Sequence, residues 1–299
     1  MNKQLKADLM LLIVTVFWGT SYLLTKMGLS DLQEFNLTAL RFIIGFSLSA
    51  IVFYKNLIKS DLKTIKYAFI LGIILLGVFT SMTFALRYTT TSNAGFLIGF
   101  TVVLVPIFSA MIFKERPENK AIVGVCFAIV GIALLTINEN IKINYGDLLC
   151  ILCAVLCALH IIVTEKFTKK VDSIALGILQ LGFVGIFSII ISLLIENTKL
   201  PTTPESWVAV LGLSVFCTAA AYIVQTTAQK HTTPTHTALI FSLESVFAAI
   251  IAYIFIGEAL TTRGYIGGAM LFMGILIVEL DLKKIFKFRD IKNTKEGTI

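Results

Sequence analysis

The chain has 299 residues, 57% of them hydrophobic and 14% charged, with a mean hydropathy of +0.90. A soluble domain is about 45–50% apolar and about 25% charged. This chain has too little polar surface to cover itself in water, so it reads as all-α and embedded in lipid, where helices satisfy their own backbone. The net charge of +7 falls in short clusters between apolar runs, the pattern of cytoplasmic loops, so the lipid bilayer and not nucleic acid is the expected partner.

A transmembrane helix needs about 20 predominantly apolar residues. Ten such spans follow in chain order at 7–27, 35–54, 65–87, 92–113, 120–137, 146–165, 173–195, 206–228, 235–256 and 263–282. The first apolar run, Leu9 to Leu24, lacks a small-residue cleavage site and reads as a retained span. The loops are too short for a soluble domain, and residues 283–299 form a basic tail. With both termini inside, 19 of the 25 basic residues face the cytoplasm and 5 the outside, with Arg41 inside the second span. That bias predicts cytoplasmic N- and C-termini and a multi-pass protein of the cytoplasmic (inner) cell membrane.

The chain repeats itself. Residues 85–115, ALRYTTTSNAGFLIGFTVVLVPIFSAMIFKE, align without a gap on 228–258, AQKHTTPTHTALIFSLESVFAAIIAYIFIGE, at an offset of 143. Thr89 meets Thr232, Glu115 meets Glu258, and Gly124 and Gly131 meet Gly267 and Gly274. Spans one and two meet six and seven at an offset of 139, with Asp8 on Asp147, Thr25 on Thr164 and Arg41 on Gln180. The expected organisation is a five-helix repeat over 1–140, a second over 141–282, and the tail. Five is odd, so the copies are expected to lie inverted in the membrane.

These motifs resemble the EamA-type transporters of the drug/metabolite transporter superfamily. The resemblance rests on Phe17-Trp18-Gly19-Thr20-Ser21 in the first span, Arg41-Phe42 in the second, and the two aligned segments around spans four and nine. It extends from about Leu9 to Leu280. One position departs from the family: Ser245 follows Glu244 where proline is usual, which puts the helix irregularity expected there in question. The resemblance implies secondary transport by alternating access, with export or exchange of a small metabolite, an amino acid or related compound, through a cavity between the halves.

Several side chains are candidates for that work. Glu244 lies about 10 Å inside the ninth span at 1.5 Å per residue, where a charge is costly and belongs in the bundle interior. It reads as a ligand for a cationic group, as a proton-coupling or gating carboxyl, or as a structural one. Arg41 reads as an internal coupling or gating residue, or as a side chain snorkelling to headgroups. Trp18 and Tyr22 share a helix face and read as cavity walls. Tyr222 and Gln225, also on one face, and Asn93 complete the binding candidates. His160 is a proton-relay candidate or a hydrogen-bonded structural residue. His231 and His236 flank the turn between spans eight and nine and read as solvated.

Cys150, Cys153 and Cys157 share a face of the sixth span and read as small apolar packing residues, with a soft metal as the alternative. No metal or other cofactor is expected. The glycines at 124, 131, 267 and 274 make spans five and ten scaffold or homodimer-facing. Pro106 is the proline inside a span, and the sequence predicts no other interruption. A membrane-embedded enzyme or a sensor is the alternative class. The sequence lacks HExxH, GxSxG and phosphate-loop motifs, and its loops leave no room for a sensor domain.

Overall fold

The computed structural model describes residues 3–113, 144–279 and scattered positions between 123 and 134. Most of the predicted fifth span, Glu115 of the repeat, Lys142 and the basic tail lie outside the described residues. Among the described residues the fold is entirely helical. It comprises α1 (Lys3–Gly28), α2 (Glu34–Val52), a short α3 (Tyr54–Ile58), α4 (Leu62–Tyr88), α5 (Thr91–Gly99), α6 (Thr101–Phe113), α7 (Tyr145–Thr168), α8 (Ser173–Ile195), α9 (Pro204–Gly212), a π-helical segment (Leu213–Ala220), α10 (Ala221–Gln229), α11 (Pro234–Ile256) and α12 (Thr262–Glu279). Seven helical stretches among the described residues are long and apolar enough to cross a membrane, and Leu243–Ile256 adds a shorter apolar one.

Helix starts follow capping chemistry. A short polar side chain just ahead of a helix accepts one of the amide N–H groups that the first turn leaves free. Asp61 caps α4 through Thr64, Thr90 caps α5 through Asn93, Asp172 caps α8 through Ala175, and Thr203 caps α9 through Ser206.

Two predicted spans are interrupted. The fourth breaks at Phe100 into α5 and α6. This lies six residues ahead of Pro106, which has no N–H to give the Val102 carbonyl and crowds that turn. Thr101 closes the break, its hydroxyl donating to the carbonyls of Ile98 (2.6 Å) and Ala154 (3.2 Å). The eighth is α-helical at both ends and π-helical between, an interruption the sequence did not announce. The ninth, where Ser245 replaces the usual proline, runs unbroken as α11. The Ser245 hydroxyl donates to the Gly95 carbonyl at 2.7 Å.

Lipid tails are as apolar as leucine side chains, so these helices associate through close packing of small residues. A Cβ on Gly19 would lie 2.5 Å from the Cβ of Phe247, and one on Gly99 would lie 2.3 Å from Ser245 Oγ. Both glycines let a first-half helix meet α11 backbone to backbone. The packing is reciprocal between the halves. α1 packs on α11 as α7 packs on α5 and α6, and α4 packs on α7 as α9, the π segment and α10 pack on α1. α2 and α8 pack on each other, and so do α5 and α11. Exchanging the halves maps each of these contacts onto another, which is the packing of a pseudo-two-fold repeat.

One end of the bundle is laced across the halves. Asp31 accepts from Lys199 Nζ (2.9 Å) and from the amide (2.6 Å) and hydroxyl (2.8 Å) of Thr202. Glu196 accepts from the amides of Phe35 (2.9 Å) and Asn36 (2.7 Å) at the start of α2. Glu258 accepts from Ser92 (2.8 Å) and Thr91 (3.3 Å) at the start of α5 and pairs with Lys26 at 3.6 Å. The Lys199 pair and the Thr202 donors hold Asp31 below the usual carboxylate range. Partial burial would raise Glu258, but the Ser92 amide and Lys26 outweigh it and leave that carboxyl lowered.

Candidate functional site

A cavity lies between the halves, with about 720 Å³ of space including the part open to solvent. Its walls come from α1, α2, α4, α5, α6, α7, α10 and α11. Fourteen of its 21 lining residues form seven pairs at the two repeat offsets. Trp18 matches Cys157, Ser21 matches His160 and Tyr22 matches Ile161 at 139. Phe79 matches Tyr222, Met82 matches Gln225, Ile98 matches Phe241 and Thr101 matches Glu244 at 143. The cavity therefore sits on the axis relating the halves, and the two copies supply its walls with different chemistry.

Of the residues singled out from sequence, Trp18, Tyr22, Arg41, His160, Tyr222, Gln225 and Glu244 all line this cavity. Asn93 does not. It sits in the first turn of α5, where its amide donates to Thr90 Oγ1 at 3.2 Å. His231 is exposed, whereas the side chain of His236 lies outside the described residues.

The Tyr22 hydroxyl donates to Glu244 Oε1 at 2.7 Å, joining the first half to the second. Trp18 is boxed by Phe241 and Tyr222, with ring centroids 4.8 and 5.2 Å away, and its Nε1–H donates to the Cys217 carbonyl at 3.1 Å. Such edge and tilted contacts are the favoured aromatic geometries and make a stiff wall.

Arg41 does not snorkel. It is 3% exposed, and its Nε donates to Thr218 Oγ1 at 2.6 Å while Nη2 donates to the Cys217 carbonyl at 3.2 Å. Its guanidinium carbon lies 4.4 Å from the Phe79 ring centroid and 5.5 Å from that of Phe42, within cation–π range. Cys217 and Thr218 belong to the π segment, whose wider turns break the regular i→i−4 ladder. The Cys217 carbonyl thus takes two side-chain donors from the first half, and the irregular turn seats the buried arginine.

His160 Nε2 lies 2.9 Å from Gln180 Oε1, the repeat counterpart of Arg41. With the amide in this orientation the nitrogen donates and Nδ1 is left as an acceptor. The Gln225 Oε1 is buried without a hydrogen-bond partner among the described residues. Cys153 and Cys157 bring their sulfurs to 4.0 Å. Among the described residues no group of three His, Cys, Asp or Glu side chains is placed to hold a metal ion.

Sequence reasoning missed Phe79, Met82, Thr101, Thr218 and the Cys217 carbonyl. Extending the 143-residue offset back into the third span would have found the first two, opposite Tyr222 and Gln225. Nothing in the pattern LSVFCTAA marks a π-helical turn.

Comparisons with known proteins agree with this architecture. The chain is 29% identical to an uncharacterized transporter of Archaeoglobus fulgidus over 279 residues, covering 93% of this chain and 87% of that one. It is 25% identical to the uncharacterized transporter YyaM of Bacillus subtilis over 286 residues, covering 92% and 93%. A crystal structure superposes with a TM-score of 0.71 at 20% identity, covering 94% of this chain and 98% of the other, a likeness of fold. The profile of the EamA-like transporter family matches residues 5–137 and 144–280, one copy in each half. The chain is a multi-pass membrane protein and belongs to the EamA-like transporter family.

Proposed function

We propose that this protein is a secondary transporter of the cytoplasmic membrane. It moves a small metabolite, an amino acid or related compound, outward or in exchange, by alternating access. The observation that carries this reading is the cavity built from repeat-equivalent residues of both halves. In an inverted pair, each half can take the conformation of the other, so a site on the shared axis opens to one side and then the other. The ten-span layout with both ends inside supplies the inversion, because an odd number of helices turns the second copy over.

The hydrogen bonds from Tyr22 to Glu244, Trp18 to Cys217 and Arg41 to Thr218 all cross from one half to the other. A substrate that exchanges with them acts on the seam along which the halves rock, which supplies the differential binding a conformational shift requires. Glu244 and Arg41 are accordingly the gating or coupling residues of this reading, with His160 in the adjoining wall. Glu258, Glu196 and Asp31 lace the end that the charge bias places outside, which supports a closed outer end in this conformation.

The test is flux or counterflow of a broad metabolite panel through purified protein in liposomes. Saturable exchange of at least one compound, lost in Glu244→Ala, is the expected result. No flux for any compound refutes transport. Chemical conversion of a compound without flux identifies a membrane-embedded enzyme instead.

A further inference from the structure

The cavity has two floors, one toward the laced end and one toward the opposite end, and the repeat makes them equivalent in position. One turn from the lining residues His160 and Ile161 on α7, Gln225 on α10 and Phe241 on α11 stand Thr164, Gln229 and Thr237. Their counterparts at the two offsets are Thr25, Leu86 and Ala94, one turn from Tyr22, Met82 and Ile98 on α1, α4 and α5. Residues three or four apart share a helix face, so each set continues the cavity wall toward its own end. The packing agrees, since α7 contacts α10 and α11 as α1 contacts α4 and α5. None of the six residues is more than 2% exposed, so the floors are equally buried and differ in chemistry. Thr164 Oγ1, Gln229 Oε1 and Thr237 Oγ1 have no hydrogen-bond partner among the described residues. Neither has Gln225 Oε1, one turn nearer the cavity, nor Thr232 Oγ1, just beyond α10. Gln229 Nε2 donates to the Ile161 carbonyl at 3.4 Å, which sets this amide against the α7 turn that carries Thr164. On the other floor Thr25 Oγ1 is the unpartnered atom. Met82, Leu86 and Ala94 are apolar, and Thr89, the counterpart of Thr232, donates its hydroxyl to Asp147.

We propose that the floor of Thr164, Gln229 and Thr237 binds a row of ordered water joining the cavity to the end opposite the lace, and that the floor of Thr25, Leu86 and Ala94 stays dry. A buried oxygen with no hydrogen-bond partner costs free energy, and a buried water bonded to two to four polar groups removes that cost. A hard cation takes oxygen ligands too, but it needs a counter-charge in so apolar a setting. Glu165, the carboxylate next to Thr164, is already paired with Lys169. The two copies of the repeat therefore carry unequal gates at equivalent places. One is a polar layer that water crosses, and the other is an apolar layer that closes by excluding water. The unequal floors stand apart from the transporter reading, and their effect on alternation rests on it.

The test is the reactivity of one cysteine placed on each floor in turn, with the five natural cysteines replaced by alanine. A thiol reacts as its thiolate, which apolar surroundings suppress and water supports. The probe is 2-aminoethyl methanethiosulfonate, applied to the purified folded protein. Thr164→Cys should react faster than Thr25→Cys by about tenfold or more. Gln229→Cys against Leu86→Cys, and Thr237→Cys against Ala94→Cys, repeat the comparison, so a variant that fails to fold leaves two other pairs. Gln229→Leu with Thr237→Ala copies the dry floor onto the wet one and should slow the reaction of Thr164→Cys by about tenfold. Equal rates within the pairs overturn the proposal, and so does a Thr164→Cys rate that the two apolar replacements leave unchanged. Fast reaction on the wet floor alone, in a protein that moves no compound, leaves the proposal standing and refutes the transporter reading. Flux with equal rates on the two floors does the reverse.

Discussion

Replacing Thr218 by valine removes one atom's chemistry and little else. Valine keeps the methyl that packs against Gly45, where a Cβ would lie 3.0 Å away, and exchanges the hydroxyl for a second methyl. The lost hydroxyl is the acceptor of Arg41 Nε at 2.6 Å, in a site where Arg41 is 3% exposed. A hydrogen bond to a charged group contributes about 1.5–3 kcal/mol, and water has little access to replace it. The expected loss is therefore roughly 10- to 150-fold in the unfolding equilibrium, at about 1.4 kcal/mol per tenfold. Unfolding of the purified protein by SDS in mixed micelles reads this directly. Thr218→Ser, which retains the hydroxyl, should keep most of the stability. If Thr218→Val unfolds at the same SDS fraction as the unmodified protein, Arg41 is not seated by the π segment and the account of that segment fails.

Three further outcomes follow from the packing and the rim. Gly99→Ala should cost about 1–3 kcal/mol by overpacking, since its Cβ would fall 2.3 Å from Ser245 Oγ. Ser245→Ala added to it should recover part of that loss in the same unfolding assay. Glu258 has a lowered pKa in the folded state, so its contribution should be complete above the ordinary carboxylate range and fade as pH falls below it. Glu258→Gln should flatten the acid side of a Tm-versus-pH profile, and an unchanged acid limb would refute the role given to Ser92, Thr91 and Lys26. Asp31→Asn combined with Glu196→Gln loosens the laced end, where Lys199, Thr202, Phe35 and Asn36 lose charged partners. Faster labelling of Cys157 by a membrane-impermeant maleimide from that side is expected.

Much of the fold was legible because lipid imposes one rule, that each crossing is a helix satisfying its own backbone. The repeat was legible because Thr89, Thr232 and Glu258 occupy turns and helix ends, where geometry restricts residue choice. Glu244, Trp18, Tyr22 and Arg41 stood out because a charge or an amphipathic ring in mid-span needs an interior partner. What stayed hidden is backbone detail. The π segment reads LSVFCTAA, which suits an ordinary helix, and only the meeting of Trp18 and Arg41 on the Cys217 carbonyl shows its use. Asn93 sits in the first turn of α5, where a polar residue can serve the helix start as well as a cavity. At Ser245, where the resemblance led to an expected irregularity, α11 runs unbroken and the hydroxyl ties it to Gly95.

The central claim is that one cavity on the axis of the repeat opens alternately to the two sides. Cys157, which lines that cavity, can report it as the sole cysteine once Cys126, Cys150, Cys153 and Cys217 are replaced by alanine. With this variant in sealed liposomes, a membrane-impermeant maleimide is applied from one side and then the other. Alternating access predicts labelling from both sides, with the balance shifted toward the laced end by Asp31→Asn and Glu196→Gln. Labelling confined to one side under every condition would contradict it.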